Sequence, residues 1–206
     1  DTPAAEIAMN HDLMRGIKQG QPFALMEQTP SVTNWLSYNA LKRPGMMRLL
    51  SYQAVAHGAD TVLFFQMRRS IGACEKYHGA LIDHAGHEYT RVFREMAVLG
   101  QELKELGSQV MGSRIRAKSA IVVDWDNWWA LEYSAGPSCD LRYMDEVKRY
   151  YTAFDELNIP VDLISAEDDL GKYSLVVAPV LYMVKTGYER ELKRFVEDGG
   201  TLIATF

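Results

Sequence analysis

Short apolar runs at 23–26, 61–66, 120–123, 161–164, 175–179 and 201–205 punctuate the chain, separated by longer stretches of helical periodicity. Uninterrupted apolar runs of this length read as strands buried on both faces, the pattern of a parallel sheet covered by helices. A first helix starts at the N-terminus, with Thr2 as its cap, Pro3 at its first position, Ile7, Met14 and Ile17 on one face and Gly20 as its stop. Pro44 opens a second helix, with Met47, Leu50 and Ala54 as its apolar stripe and Gly58 at its end. Further helices are predicted over 87–106, 140–157 and 186–198, the last one stopped by Gly199-Gly200. Alternation of strand and helix specifies an α/β fold with right-handed crossovers. The segments 67–86 and 124–139 read as long loops, which is where function concentrates.

The apolar pattern lapses at 107–118, where Gly107, Ser108, Gly112 and Ser113 lie among Arg114, Arg116 and Lys118. This seam divides the chain into domains at 1–112 and 113–206. The net charge is −5 and no basic patch stands out, so a nucleic-acid partner is not expected. No apolar run approaches membrane-spanning length, and no basic segment leads into an apolar leader. Cys74 and Cys139 form neither a Cys-x-x-Cys pair nor a disulfide framework, so a reducing, cytoplasmic setting is the expectation. Asp1-Thr2-Pro3 opens directly into a helix and Phe206 closes an uncapped strand, so the chain reads as a fragment of a longer protein.

Glu27 ends the first apolar run. A carboxylate there sits at the carboxyl end of a buried parallel strand, the end that faces the ligand crevice of an open sheet or the mouth of a barrel. The bland alternative is a solvated glutamate at a loop edge. Asn34-Trp35 follows in the next loop, and the second strand ends in Phe65-Gln66 and leads to Cys74-Glu75-Lys76-Tyr77-His78-Gly79. In a parallel barrel both loops open on one face, which would gather two carboxylates, an imidazole and aromatic rings. That mixture suits a sugar: rings cover its C–H face while carboxylates and imidazole bond its hydroxyls. A carboxylate beside a sugar is also the nucleophile that a retaining glycosidase needs. Taken singly, Trp35 is as well explained as a core or lid residue and His78 as a structural histidine. His78, His84 and His87 match no zinc spacing, so no metal is expected. In the second domain, Asp124-Trp125-Asp126-Asn127-Trp128-Trp129 follows the first strand without a Gly-x-Gly-x-x-Gly, and no dinucleotide cofactor is implied. The turn after 175–179, Val180-Leu181-Tyr182, holds no Cys or Ser nucleophile. Packing and subunit contacts are the expected roles of this domain.

The segments Phe23-Ala24-Leu25-Met26-Glu27-Gln28-Thr29-Pro30-Ser31, Phe64-Phe65-Gln66-Met67-Arg68-Arg69-Ser70 and Gly72-Ala73-Cys74-Glu75-Lys76-Tyr77-His78-Gly79-Ala80 strongly resemble glycoside hydrolase family 42 β-galactosidases. His11-Asp12-Leu13-Met14-Arg15-Gly16 resembles the helix before the nucleophile strand, and 120–206 resembles the family's trimerisation domain. The resemblance implies that strands 23–27 and 61–66 are the seventh and eighth of a TIM barrel. A doubly wound, flavodoxin-like (amidotransferase-like) domain, incomplete at its C-terminus, would then follow. It implies Glu27 as nucleophile, Trp35 and Phe65 as rings lining the galactose subsite, and Glu75 and His78 as hydrogen-bonding partners of the sugar. It also implies a β-galactoside substrate, a homotrimer, a role in carbohydrate metabolism and no cofactor. The family's general acid/base is a Glu preceded by Asn, and no Asn-Glu pair occurs in this chain. The zinc-binding cysteines of some members lie upstream of this region. A non-catalytic oligomerisation or carbohydrate-binding module is the alternative function.

Overall fold

The computed structural model describes residues 4–19, 21–136 and 138–206. The expected cap Thr2, first-position Pro3 and stop Gly20 lie outside them. In chain order the elements are α1 (Ala4–Ile17), β1 (Phe23–Leu25), α2 (Met46–Ala56), β2 (Ala59–Val62), α3 (Arg91–Val110), β3 (Ser119–Val122), α4 (Trp125–Tyr133), α5 (Tyr143–Glu156), β4 (Val161–Ile164), β5 (Leu175–Ala178), α6 (Tyr188–Glu197) and β6 (Thr201–Ala204). They form two compact units, residues 22–114 and residues 1–21 with 115–206.

In the unit 22–114, β1 and β2 pair in parallel, with a register irregularity between Phe23 and Ala24. The ladder continues past both strands: Leu63 N–H donates to Leu25 O (2.9 Å) and Phe65 N–H to Gln28 O (3.0 Å). These bonds hold the backbone on either side of Glu27, three residues of one strand being spanned by two of the other. Met47 of α2 and Met96 and Leu99 of α3 form the buried core, with Tyr52, Phe64 and Leu81 against it. Thr90 caps α3 by accepting from Phe93 N–H. Burial on both faces, expected from the apolar runs 23–26 and 61–66, is not observed: Ala24 of β1 is exposed, as are Met26 (70%) and Leu63 (43%) just beyond β1 and β2. A two-stranded sheet offers its side chains few neighbours, so apolar pattern alone does not bury them.

In the other unit the strand order is β4-β3-β5-β6 and all pairs are parallel. This is the flavodoxin-like order, in which the first strand of the sheet lies between the second and third. Ile121, Val123, Leu163 and Val177 point to one face, where α1, α4 and α5 supply Ala8, Met9, Leu131, Val147 and Tyr151. Ala120, Val122, Ile164 and Val176 point to the other, under Leu192 and Phe195 of α6. Two helical layers thus enclose one sheet. The loop expected over 124–139 contains α4. Its start is local chemistry, since the side chain of Asp124 accepts from Asp126 N–H as an N-cap. The face predicted for α1 is also corrected. Ile17 is 66% exposed and Met14 46%, whereas Ala5, Ala8, Met9, His11, Asp12 and Gly16 are buried. Polar bonds select that face: the Arg15 guanidinium reaches Asp12, Val161 O (3.0 Å) and Asp162 (3.1 Å), and Tyr151 Oη donates to Asp12 (2.6 Å).

Candidate functional site

Glu27 stands two residues beyond β1 and is exposed, at the carboxyl end of the parallel pair. The chain after it is tied down in short steps. Gln28 donates to Ser51 Oγ (3.3 Å), and Lys42 donates through Nζ to Thr29 O and through N–H to Ser31 O (3.0 Å). Burial of Lys42 lowers its pKa from the ordinary lysine value.

Beyond β2, the segment 67–86 is a closed loop rather than a loose one. Leu81 N–H donates to Gln66 O and Ile82 N–H to Met67 O, and Arg69 N–H returns to Ile82 O, each at 2.9 Å. This neck returns the chain to its start, as in compact surface loops that carry function. Its inner turn approaches the 28–34 segment closely. Gly79 N–H donates to Val32 O (2.7 Å), and the side chain of Asn34 donates to Cys74 O.

The sequence-predicted residues fall together here in part. His78 is fully buried. Trp35 stacks on its ring at 5.0 Å and 26°, and Phe65 meets it edge-on at 5.1 Å and 73°. Its Nδ1 lies 2.9 Å from Gly79 O, which makes that nitrogen the N–H donor. The other nitrogen, Nε2, lies 3.4 Å from the Thr29 hydroxyl. Trp35 itself is 61% exposed, so one edge of this aromatic cluster faces outward. Glu75 is half-buried, three residues before His78. Among the described residues, no hydrogen bond or ion pair reaches the carboxylate of Glu27 or Glu75. Both carboxylates are thus open to accept hydrogen bonds.

The three histidines considered for a metal are engaged separately. His84 Nε2 contacts Ser70 O (2.8 Å) and His87 packs on Tyr89 (5.4 Å), apart from the enclosed His78. No group of three His, Cys, Asp or Glu side chains is gathered among the described residues. Sequence reasoning missed Arg69, Asp83 and Thr29, which hold the loop. Arg69 and Asp83 are separated by fourteen positions in a charged loop. Nothing in a pattern of periodicity marks them as a pair.

The other unit has its own crevice, of about 780 Å³, lined by Asp124, Asp126, Trp129, Glu167, Met183 and Lys185. Lys185 reaches Asp124 (3.3 Å), Asp126 (3.2 Å) and Glu167 (3.4 Å). Desolvation lowers the ammonium's pKa, but these carboxylates outweigh it and the net shift is upward. Tyr143, whose hydroxyl accepts from Asp124 N–H (2.8 Å), is pushed up to about 12, chiefly by burial. The crevice lining comes from the segments that follow β3, β4 and β5, at the carboxyl ends of the parallel strands.

Comparison with known proteins places these features in one lineage. The description "Beta-galactosidase" matches residues 1–106, and "Beta-galactosidase trimerisation domain" matches 117–206. A β-galactosidase of Planococcus sp. (strain 'SOS Orange') is 61% identical over the whole of this chain, which spans 30% of the relative's length. The crystal structure of a β-galactosidase from Bacillus circulans sp. alkalophilus aligns with TM-score 0.97 and 62% identity, over 100% of this chain and 30% of that one. A β-galactosidase from Rahnella sp. R3 aligns with TM-score 0.93 and 51% identity, over 98% of this chain and 30% of that one. The fold is the end of a TIM barrel followed by a flavodoxin-like domain, and the chain belongs to the glycoside hydrolase family 42 β-galactosidases.

Proposed function

We propose that the protein carrying this chain is a retaining β-galactosidase, acting on terminal β-D-galactosides in cytoplasmic carbohydrate metabolism, with Glu27 as its nucleophile. The observation that carries this reading is the position of Glu27. An unpartnered carboxylate ends a parallel strand, with Trp35, Phe65, Glu75 and His78 on the loops of the same strand ends. One carboxylate oxygen of Glu27 attacks the anomeric carbon as the glycosidic C–O bond breaks. The leaving oxygen takes a proton from a second carboxyl group, supplied from outside this chain. Water, deprotonated by that same group, then displaces Glu27 and releases galactose with retained configuration. Trp35 and Phe65 cover the C–H face of the sugar, and Glu75 accepts from its hydroxyls. His78 contributes Nε2, whose contact with Thr29 is long enough to be exchanged for a hydroxyl. Residues 1–112 belong to the barrel in this reading, and 113–206 form the trimerisation-type domain that assembles three copies.

The test is trapping in the full-length protein. A 2-deoxy-2-fluoro galactoside with a good leaving group slows breakdown of the glycosyl-enzyme more than a normal sugar does, so the labelled peptide reports the nucleophile. The label is expected on the peptide containing Glu27, and Glu27→Gln should abolish both labelling and turnover, because an amide cannot act as the nucleophile. A label on a different carboxylate, or near-parental activity of Glu27→Gln, would remove Glu27 from the role.

A further inference from the structure

In the turn that presents Glu75 and His78, the carbonyls of residues 73–77 each accept a hydrogen bond. Ala73 O accepts from Lys76 N–H (3.5 Å), Glu75 O from His78 N–H (2.9 Å), and Cys74 O from the Asn34 side chain. The carbonyls of Lys76 and Tyr77 are both taken by a single residue. Arg69 donates through Nε to Lys76 O (3.2 Å) and through one terminal nitrogen to Tyr77 O (2.8 Å). Its other terminal nitrogen is held by Asp83 (2.8 Å), on the far limb of the loop. Burial alone would raise the Asp83 carboxyl, but hydrogen bonds from Arg69 and from His84 N–H prevail and its pKa is lowered. Each of the three guanidinium nitrogens thus holds one acceptor, in one rigid plane. The side chain of Arg69 is only 17% exposed. The Glu75 carboxylate, by contrast, has no hydrogen-bond or ion-pair partner among the described residues.

We infer that Arg69 is a positioning residue for sugar recognition, acting through the Glu75–His78 turn and set in place by Asp83. This rests on the assignment of Glu75 as a hydroxyl contact. A free carboxylate on a mobile turn would spend binding energy on being ordered, whereas a carboxylate on a clamped turn meets the hydroxyl already aligned. Arg69 binds the backbone on both sides of the bond between Lys76 and Tyr77, so its loss frees the turn without removing any group that touches the sugar.

A double-mutant cycle in the full-length protein separates this from general loss of structure. Arg69→Met, Glu75→Ala and the double variant are compared in kcat/KM for a chromogenic β-galactoside, with thermal unfolding measured alongside. Arg69→Met is expected to lower kcat/KM by about tenfold in the parent and by less than about twofold once Glu75 is Ala, as for two residues acting as a unit. Arg69→Lys, which keeps the charge but not the fork, should recover only part of the loss. Equal losses from Arg69→Met in both backgrounds, or parental kcat/KM in Arg69→Met, would overturn the inference. Parental kcat/KM in Glu75→Ala alone would instead sink the sugar-contact assignment beneath it. If Arg69→Met does not fold, Asp83→Asn, which releases the guanidinium but leaves it present, takes its place with the same two outcomes.

Discussion

Gly79 is required by space, since its backbone is not in the left-handed region. A Cβ built there would lie 2.1 Å from Ser31 Oγ and 2.7 Å from Val32 N, and the second of these cannot move without moving the 28–34 segment. Gly72, in the same loop, has nothing within 4 Å of an added Cβ. Gly79→Ala should therefore destabilise the protein by about 1–3 kcal/mol, the range for overpacking, and lower kcat/KM by displacing His78 from Trp35 and Phe65. Gly72→Ala should stay within about 0.5 kcal/mol of the parent, as an open surface change does. Thermal unfolding and steady-state kinetics on the pair check this, and equal behaviour of the two variants would contradict it. Val180 shows a different constraint. It is a β-branched residue at φ 45°, fully buried, with its N–H given to Thr205 Oγ1 (3.0 Å). Strain of this kind persists only where surrounding packing over-determines it. It occupies the turn where a nucleophile was looked for in the sequence, and the residue there is chemically inert.

At the scale of elements, α1 shows how packing overrides a hydrophobic count. Met14 and Ile17 are exposed while Met9, two alanines, Gly16 and an ion pair are buried. The small residues let the helix come down onto β4. An added Cβ at Gly16 would sit 1.7 Å from Leu163 O. Gly16→Ala gains helix propensity of about 1 kcal/mol, yet this clash must be relieved by lifting α1 off the strand. A net loss of about 2 kcal/mol or more is expected, by the cost of overpacking and of the Arg15 bonds to β4 that lengthen with it. Denaturant unfolding of the variant measures this, and a raised midpoint would refute it. In the other unit, the close meeting of the 28–34 and 67–86 segments is likewise built from Val32 O, Cys74 O and the Thr29–His78 contact, none of which carries a periodic signal.

Taken as a whole, the chain leaves apolar surface uncovered along its sheets: Met26 (70% exposed), Leu63 (43%), Ile203 (40%) and Phe206 (71%). Edges and patches of this kind recruit partners. The 206-residue chain alone is expected to self-associate, and to hydrolyse no chromogenic β-galactoside, since it holds no Asn-Glu pair for the acid/base step. Light scattering and a long-incubation assay check the two parts separately. A monodisperse monomer would contradict the first, and turnover that copurifies with this chain free of any longer enzyme would contradict the second.

Apart from α4, the order of strands and helices, the α/β class and the placement of Glu27 and the aromatic residues at strand ends and in the loops beyond them were legible from the chain. They depend on local quantities: run length, periodicity, and the placement of polar residues at the ends of apolar runs. The motif around Glu75 carried the family, because its residues are contiguous. The start of α4 was within reach of the same reasoning, since Asp124 is a good cap ahead of a tryptophan-rich segment, but three exposed or half-buried indoles make no helical stripe. What the tertiary structure alone decided were relations between residues distant in sequence. The buried face of α1 follows from Arg15 meeting Asp162 and from the room that Gly16 leaves for Leu163 O. The enclosure of His78 follows from Trp35 and Phe65 arriving from different loops. The clamping of Glu75's turn follows from Arg69 reaching two carbonyls and one carboxylate at once. Such contacts are set by the three-dimensional path of the backbone, and a one-dimensional pattern contains the side chains that make them but not the distances between them.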